Sequence, residues 1–235
     1  YENAEKIILC LSGFISAIGT VMLPKVSRMT RMKQMDAVKR HIRLSMELVM
    51  CMVCAMAFGL AAVAVNFAPL FYGDDFAYSG TLMMPLAFTL LSIGFANVIR
   101  TQWVLPQGCD TIFVHSVLTG AVINLIANFV LIPPFGAMGA AAATVLAEFS
   151  VPAVQFVYLR KELPYAQYLK TTGVYCLFGL VMAGVVALLG HVLPLHGWGK
   201  LAVQVTGGTA VYGALCLTYW KLAKRSDIFR LMRRK

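Results

Sequence analysis

The sequence predicts an all-α polytopic membrane bundle of about seven transmembrane helices, and three observations carry that prediction. Hydrophobic residues make up 60% of the 235-residue chain and charged residues 13%, about half the roughly 25% charge of a soluble globular domain. The apolar residues are gathered into uncharged blocks, each close to the roughly 20 helical residues that a hydrocarbon core of about 30 Å requires. Once those blocks are read as crossings, the Lys and Arg residues fall almost entirely on one side. Membrane barrels alternate apolar and polar positions over short segments, whereas these blocks are apolar all round, which rules out strands.

Spans are predicted over residues 1–24, 44–70, 78–104, 111–132, 136–158, 171–193 and 200–220. The first three rest on the uncharged runs 7–23, 48–70 and 76–99. Residues 111–147 are uncharged and too long for one crossing, but Pro133-Pro134-Phe135-Gly136 interrupts them. Prolines remove amide donors and glycine relaxes the backbone, so a tight turn there separates a fourth span from a fifth. The sixth and seventh rest on the runs 171–193 and 201–220. Between the first two spans, residues 25–43 set Val26, Met29, Met32, Met35, Val38 and Ile42 among basic residues. That pattern predicts an amphipathic basic loop helix lying on the inner leaflet. Small residues Gly136, Gly139, Ala143 and Ala147 recur every three or four positions in the fifth span, which lets a neighbouring helix approach closely.

Lys and Arg accumulate on the cytoplasmic side of membrane proteins. The first loop holds Lys25, Arg28, Arg31, Lys33, Lys39, Arg40 and Arg43; Arg100 closes the third span; Arg160, Lys161 and Lys170 follow the fifth; residues 221–235 form a basic tail. Of the 20 Lys and Arg residues only Lys6 and Lys200 fall elsewhere, and the opposite loops carry Asp74 and Asp75. The expected orientation has the N-terminus of this segment outside and the C-terminus cytoplasmic. The net charge of +10 therefore reports topology. A nucleic-acid partner would need a folded soluble domain to present a basic patch, and the sequence predicts none.

Enzyme signatures are missing: the sequence holds no HExxH, GxSxG or Walker motif, and His41, His115, His191 and His196 are dispersed. Cys51-x-x-Cys54 has the spacing of a metal or redox pair, but without a nearby His or second pair it reads as buried small hydrophobes. No cofactor or metal site is implied, and no disulfide framework. Tyr1 is not an initiator methionine, and Glu2, Glu5 and Lys6 lead straight into a span, so an upstream segment is expected.

Ionisable groups at membrane depth cost roughly 2.5–3.5 kcal/mol each on insertion scales and are tolerated mainly where they face a cavity or partner. Glu148 lies mid-span in the fifth helix and Arg100 ends the third; the alternatives are a packed carboxyl and a snorkelling stem. Glu5 and Lys6 lie at the outer end of the first helix, either as a solvated end or as a polar lining. Asn97, Asn124 and Asn128 are amides inside spans, where interhelical hydrogen bonding competes with substrate contact.

Several segments taken in register resemble a known family. Residues Tyr1-Glu2-Asn3-Ala4-Glu5-Lys6-Ile7-Ile8, Gly19-Thr20-Val21-Met22-Leu23-Pro24-Lys25-Val26-Ser27-Arg28, Phe71-Tyr72-Gly73-Asp74-Asp75-Phe76, Asn97-Val98-Ile99-Arg100-Thr101-Gln102, Leu105-Pro106-Gln107-Gly108 and Leu131-Ile132-Pro133 resemble the second half of bacterial polysaccharide flippases. These belong to the multidrug/oligosaccharidyl-lipid/polysaccharide exporter superfamily. The register holds over about residues 1–160, and beyond that only hydropathy matches. The resemblance implies one bundle of a 12–14 helix exporter, non-enzymatic, with the other half of the protein N-terminal to it. The implied cargo is an undecaprenyl-pyrophosphate-linked oligosaccharide repeat unit, moved across the bacterial cytoplasmic membrane for surface polysaccharide biosynthesis. Membrane lipids and polysaccharide assembly machinery are the implied partners.

Under that resemblance Arg100 and Lys6 are expected to face the pyrophosphate, and Asn97, Asn124 and Asn128 the sugars. Glu148 and Glu5 are expected to couple transport to an ion or proton. A multidrug or lipid II exporter of the same superfamily is the alternative. A membrane-embedded glycan-processing enzyme fits less well, because the outer loops are short.

Overall fold

The computed structural model describes residues 1–192, 194 and 197–222. The basic tail beyond Leu222, the end of the sixth predicted span at residue 193, and His196 lie outside the described residues. Among the described residues every regular element is helical, and seven segments are long and apolar enough to cross a membrane. They are α1 (Glu2–Arg31), α2 (Met35–Tyr72), a composite third segment, α5 (Asp110–Phe135), α6 (Ala137–Leu159), α7 (Tyr165–Val192) and α8 (Gly197–Leu222).

Helix ends run further than the apolar runs, because a bilayer limits the hydrophobic stretch and not the helix. Arg, Lys and Met are good helix formers, so α1 continues through Pro24 to Arg31 and α2 starts at Met35. The stretch 25–43 is thereby divided between two helices and does not form the predicted separate surface helix. Its break is a Schellman turn. Lys33 takes the left-handed conformation (φ 57°), its amide donates to the Thr30 carbonyl (2.9 Å), and the Gln34 amide donates to the Met29 carbonyl (3.1 Å). Val26, Val38 and Ile42, expected to face lipid, are fully buried instead. The apolar face of the basic stretch is part of the protein core.

The third segment sits at the centre, with 72% of its most apolar window buried. It is built from a 3₁₀ turn (Asp74–Phe76), α3 (Ala77–Ala87), α4 (Thr89–Ile99) and a π turn (Arg100–Val104). Pro85 lacks an amide hydrogen, and the chain bends just after it at Phe88, between α3 and α4. α1, α2 and α6 all pack on α4.

The α5–α6 hairpin is the tightest pairing. α5 runs through Pro133 and Pro134, three residues past the predicted end of the fourth span, and Gly136 alone turns the chain with φ 55°. A side chain at Gly139 would overlap the Leu131 carbonyl oxygen, so this glycine is what permits the backbones to meet. α7 and α8 pack on each other and on α2.

A buried polar node fixes that last pairing. Trp220 Nε1 on α8 donates to the Tyr175 hydroxyl on α7 (2.8 Å), and that hydroxyl donates to the Glu47 carboxylate on α2 (3.2 Å). Glu47 is 3% exposed. Replacing Tyr175 by Phe removes the shared hydroxyl, and is expected to cost about 1–3 kcal/mol of stability. Thermal unfolding in detergent checks this; an unchanged midpoint would show that the node contributes nothing. The Cys51-x-x-Cys54 pair does not close on itself: Cys51 Sγ lies 3.6 Å from Cys216 Sγ on α8, and Cys54 Sγ lies 3.8 Å from Cys176 Sγ on α7.

Candidate functional site

α1, α4, α5 and α6 enclose a cavity of about 530 Å³ whose polar lining includes Asn97, Arg100, Asn124, Glu148 and Gln155. Four of the residues singled out in the sequence therefore meet in one place. Arg100 opens the π turn, where the Leu105 amide reaches back five residues to the Arg100 carbonyl (2.9 Å). Such turns widen a helix locally and recur at functional positions. The Thr101 hydroxyl donates to the Asn97 carbonyl (2.8 Å) beside it. The Arg100 guanidinium lies 5.4 Å from the centre of the Phe113 ring on α5, close enough for a cation–π contact. Its Nε is buried and without a hydrogen-bond partner among the described residues.

Asn97 reaches the cavity beside Gly19 of α1, where any side chain would overlap its amide oxygen. Asn128 does not line the cavity; its amide nitrogen donates to Asn124 Oδ1 (2.9 Å) and so orients the residue that does. Glu148 lies midway along α6, half-buried, and its carboxylate has no hydrogen bond or ion pair among the described residues. The Ser92 hydroxyl of α4 donates to its backbone carbonyl, which fastens α4 to α6 at this level.

Lys6 and Glu5 are not part of this cavity. Lys6 pairs with Glu2 one turn away (2.9 Å), and both side chains are largely exposed, so their charges satisfy each other at the start of α1.

Gln155 was missed by the sequence reading. It is 1% exposed, its amide nitrogen donates to the Ala96 carbonyl over 3.5 Å, and its Oε1 has no partner among the described residues. The signal was present: Thr144, Glu148 and Gln155 follow each other by four and seven positions, which places them on one helix face. A polar stripe on an otherwise apolar helix marks the wall of a polar cavity.

A polytopic helical bundle whose buried polar groups converge on one cavity at membrane depth has the build of a membrane transporter. The chain belongs to the lipid II flippase MurJ family, whose description matches over residues 1–206. That family and the seven long apolar helices make it a multi-pass membrane protein.

Among curated relatives, it is 23% identical over 220 residues to a probable low-salt glycan biosynthesis flippase Agl15 of Haloferax volcanii, covering 93% of this chain and 46% of the relative. It is 22% identical over 139 residues to a putative O-antigen transporter of Shigella dysenteriae, covering 59% of this chain and 34% of the relative. The solved structure of a lipid II flippase MurJ in an inward closed conformation shares the fold with a TM-score of 0.76, at 18% identity, covering 93% of this chain and 46% of that one. The chain thus spans about half the length of the proteins it matches over most of its own length. Its relatives are named as flippases or transporters, not as enzymes.

Proposed function

We propose that this chain forms one bundle of a flippase that carries a polyprenyl-pyrophosphate-linked glycan from the inner to the outer leaflet of the bacterial cytoplasmic membrane. A second bundle completes the path, and the basic loops face the cytoplasm. The observation that carries this reading is the meeting of Arg100, Asn97, Asn124 and Glu148 around one cavity. A pyrophosphate leaving water meets a large desolvation penalty unless a cation receives it. Arg100 is that cation: a guanidinium offers forked donors matched to phosphate oxygens, and its Nε is unspent. Asn97 and Asn124 supply the mixed donors and acceptors that sugar hydroxyls need, and Asn128 holds Asn124 in place.

The family match favours lipid II as the glycan, and the relative named as an O-antigen transporter supports a surface-polysaccharide repeat unit. Both cargoes present a pyrophosphate to Arg100, so they are separated by experiment: the full-length protein is expressed in cells depleted of their own lipid II flippase. Lipid II as cargo predicts rescue from lysis. If growth is not rescued but polysaccharide export is restored in a strain lacking its repeat-unit flippase, the cargo is the repeat unit. Failure of both, with the protein present at normal abundance in the membrane, overturns the flippase reading.

Glu148 is the coupling group in this proposal, because a half-buried carboxyl facing a cavity can exchange a proton or a small cation as the cavity opens to either side. Replacing Glu148 by Gln is expected to leave cargo binding in place while lowering gradient-driven transport to the rate seen without a gradient. Reconstituted vesicles with an imposed pH or sodium gradient measure both quantities. Full gradient response in the Gln variant would remove Glu148 from the mechanism.

A further inference from the structure

α6 and α7 are joined by only the five residues between Leu159 and Tyr165, yet they do not pack along each other. α6 follows α5 and α4, whereas α7 follows α2 and α8. The seam left between them is an apolar cavity of about 380 Å³, walled by Phe95, Phe149, Phe156, Leu169 and Thr172 among others. It lies on the other side of the α4–α6 contact from the polar cavity and shares no lining residue with it.

Two features give the seam a direction. At the end near the α6–α7 loop, the Tyr165 ring packs edge-on against Phe156 (5.2 Å between centres) and beside Phe95 (6.0 Å), and its hydroxyl is buried with no partner among the described residues. Just beyond, the loop carries exposed Arg160 and Lys161, with exposed Lys170 in the second turn of α7. Glu162 is the one acidic residue in that loop, and its carboxylate accepts a hydrogen bond from Trp103 Nε1 (3.0 Å) under Lys39, which lies 5.8 Å over the same ring. The mouth is therefore net positive, and the N-terminal end of α7 adds its dipole.

We propose that the α6–α7 seam is a binding site for an anionic diacyl phospholipid of the leaflet that faces the basic loops. One acyl chain fills the apolar seam, and a glycerol ester carbonyl accepts the Tyr165 hydroxyl. The headgroup phosphate rests on Arg160 and Lys161. The three parts of the ligand match the order found along the seam: largely apolar walls, in which the Thr172 hydroxyl is also without a partner among the described residues, then the Tyr165 donor, then cations. The site does not rest on the cargo assigned above, so transport can be tested without it and it can be tested without transport.

Photo-crosslinking tests this on the full-length flippase in vesicles of phosphatidylcholine doped with phosphatidylglycerol that carries a diazirine on one acyl chain. Adducts are expected in peptides spanning residues 149–156 and 165–176, and unlabelled phosphatidylglycerol should compete far better than phosphatidylcholine. The paired variant Arg160→Gln with Lys161→Gln should lower seam labelling about tenfold, while any labelling of the exposed apolar residues Leu125 and Phe129 on α5 stays constant. Ala153→Trp, which fills the seam without touching the charges, should lower labelling as well. Labelling spread evenly over the exposed helices would overturn the proposal. Equal competition by the two lipids, or stronger competition by undecaprenyl phosphate than by phosphatidylglycerol, would overturn it too.

Discussion

Replacing Arg100 by Ala is expected to lower export by the full-length protein about 30-fold at normal abundance, the loss of roughly 2 kcal/mol that goes with removing hydrogen bonds to a charged group. The argument is local. Among the described residues Arg100 brings the only Lys or Arg side chain to the polar cavity's wall, and its Nε has no hydrogen-bond partner there. No other described residue on that wall can replace its charge. Lys at the same position keeps the charge and loses the fork, so Arg100→Lys should recover part of the activity and not all of it. Export is read as glycan appearing at the cell surface, with membrane abundance measured in the same cells. Normal export by the Ala variant would remove Arg100 from cargo handling and leave it as a packing residue against Phe113.

The second large effect is expected at Gly139. A glycine inside a helix ordinarily costs stability, so Gly→Ala gains about 0.5–1 kcal/mol where space allows. At Gly139 the new methyl group would overlap the Leu131 carbonyl oxygen and crowd the Ile132 amide, both backbone atoms that cannot rotate away. The helices must separate, and about 2 kcal/mol of destabilisation follows from overpacking a closed interface. Gly173 and Gly184 on α7 have nothing within 4 Å of an added Cβ, so Gly184→Ala should be neutral or stabilising. Unfolding midpoints in detergent for the two variants should move in opposite directions. A Gly139→Ala protein as stable as the parent would mean that the hairpin yields without cost.

Much of this architecture was legible because a membrane imposes a length on apolar runs. Seven blocks of uncharged sequence became seven spanning segments, and the charged positions that interrupt membrane depth, Arg100 and Glu148, came together with Asn97 and Asn124. Their convergence follows from cost, since scattered buried charges would each have to be solvated separately. What could not be read was backbone geometry without a sequence signature. The turn after α1 places Lys33 where Gly or Asn is expected, so residues 25–43 looked like one amphipathic helix. The π turn at Arg100 likewise has no glycine or proline of its own.

Polar residues with ordinary packing neighbours were also silent. Glu47 immediately precedes the uncharged run of α2 and nothing in the sequence singled it out, yet it is nearly fully buried because α7 and α8 close over it. Lys6 and Glu5 stand apart from the polar cavity. They carried charge into a predicted span, but the first turn of α1 directs the Lys6 charge to Glu2 at an exposed surface.

The way α7 and α8 attach has a consequence for how the protein is made. Both pack on α2, so one flank of α2, with the Glu47 carboxylate on it, has no tertiary cover until α7 leaves the ribosome. The interval is roughly a hundred residues of translation, or about 5–20 s at about 5–20 residues per second. During that time the carboxylate must be sheltered by the insertion machinery or drawn to the bilayer surface. Burying Glu47 is then a cost met during biogenesis as well as in the finished bundle.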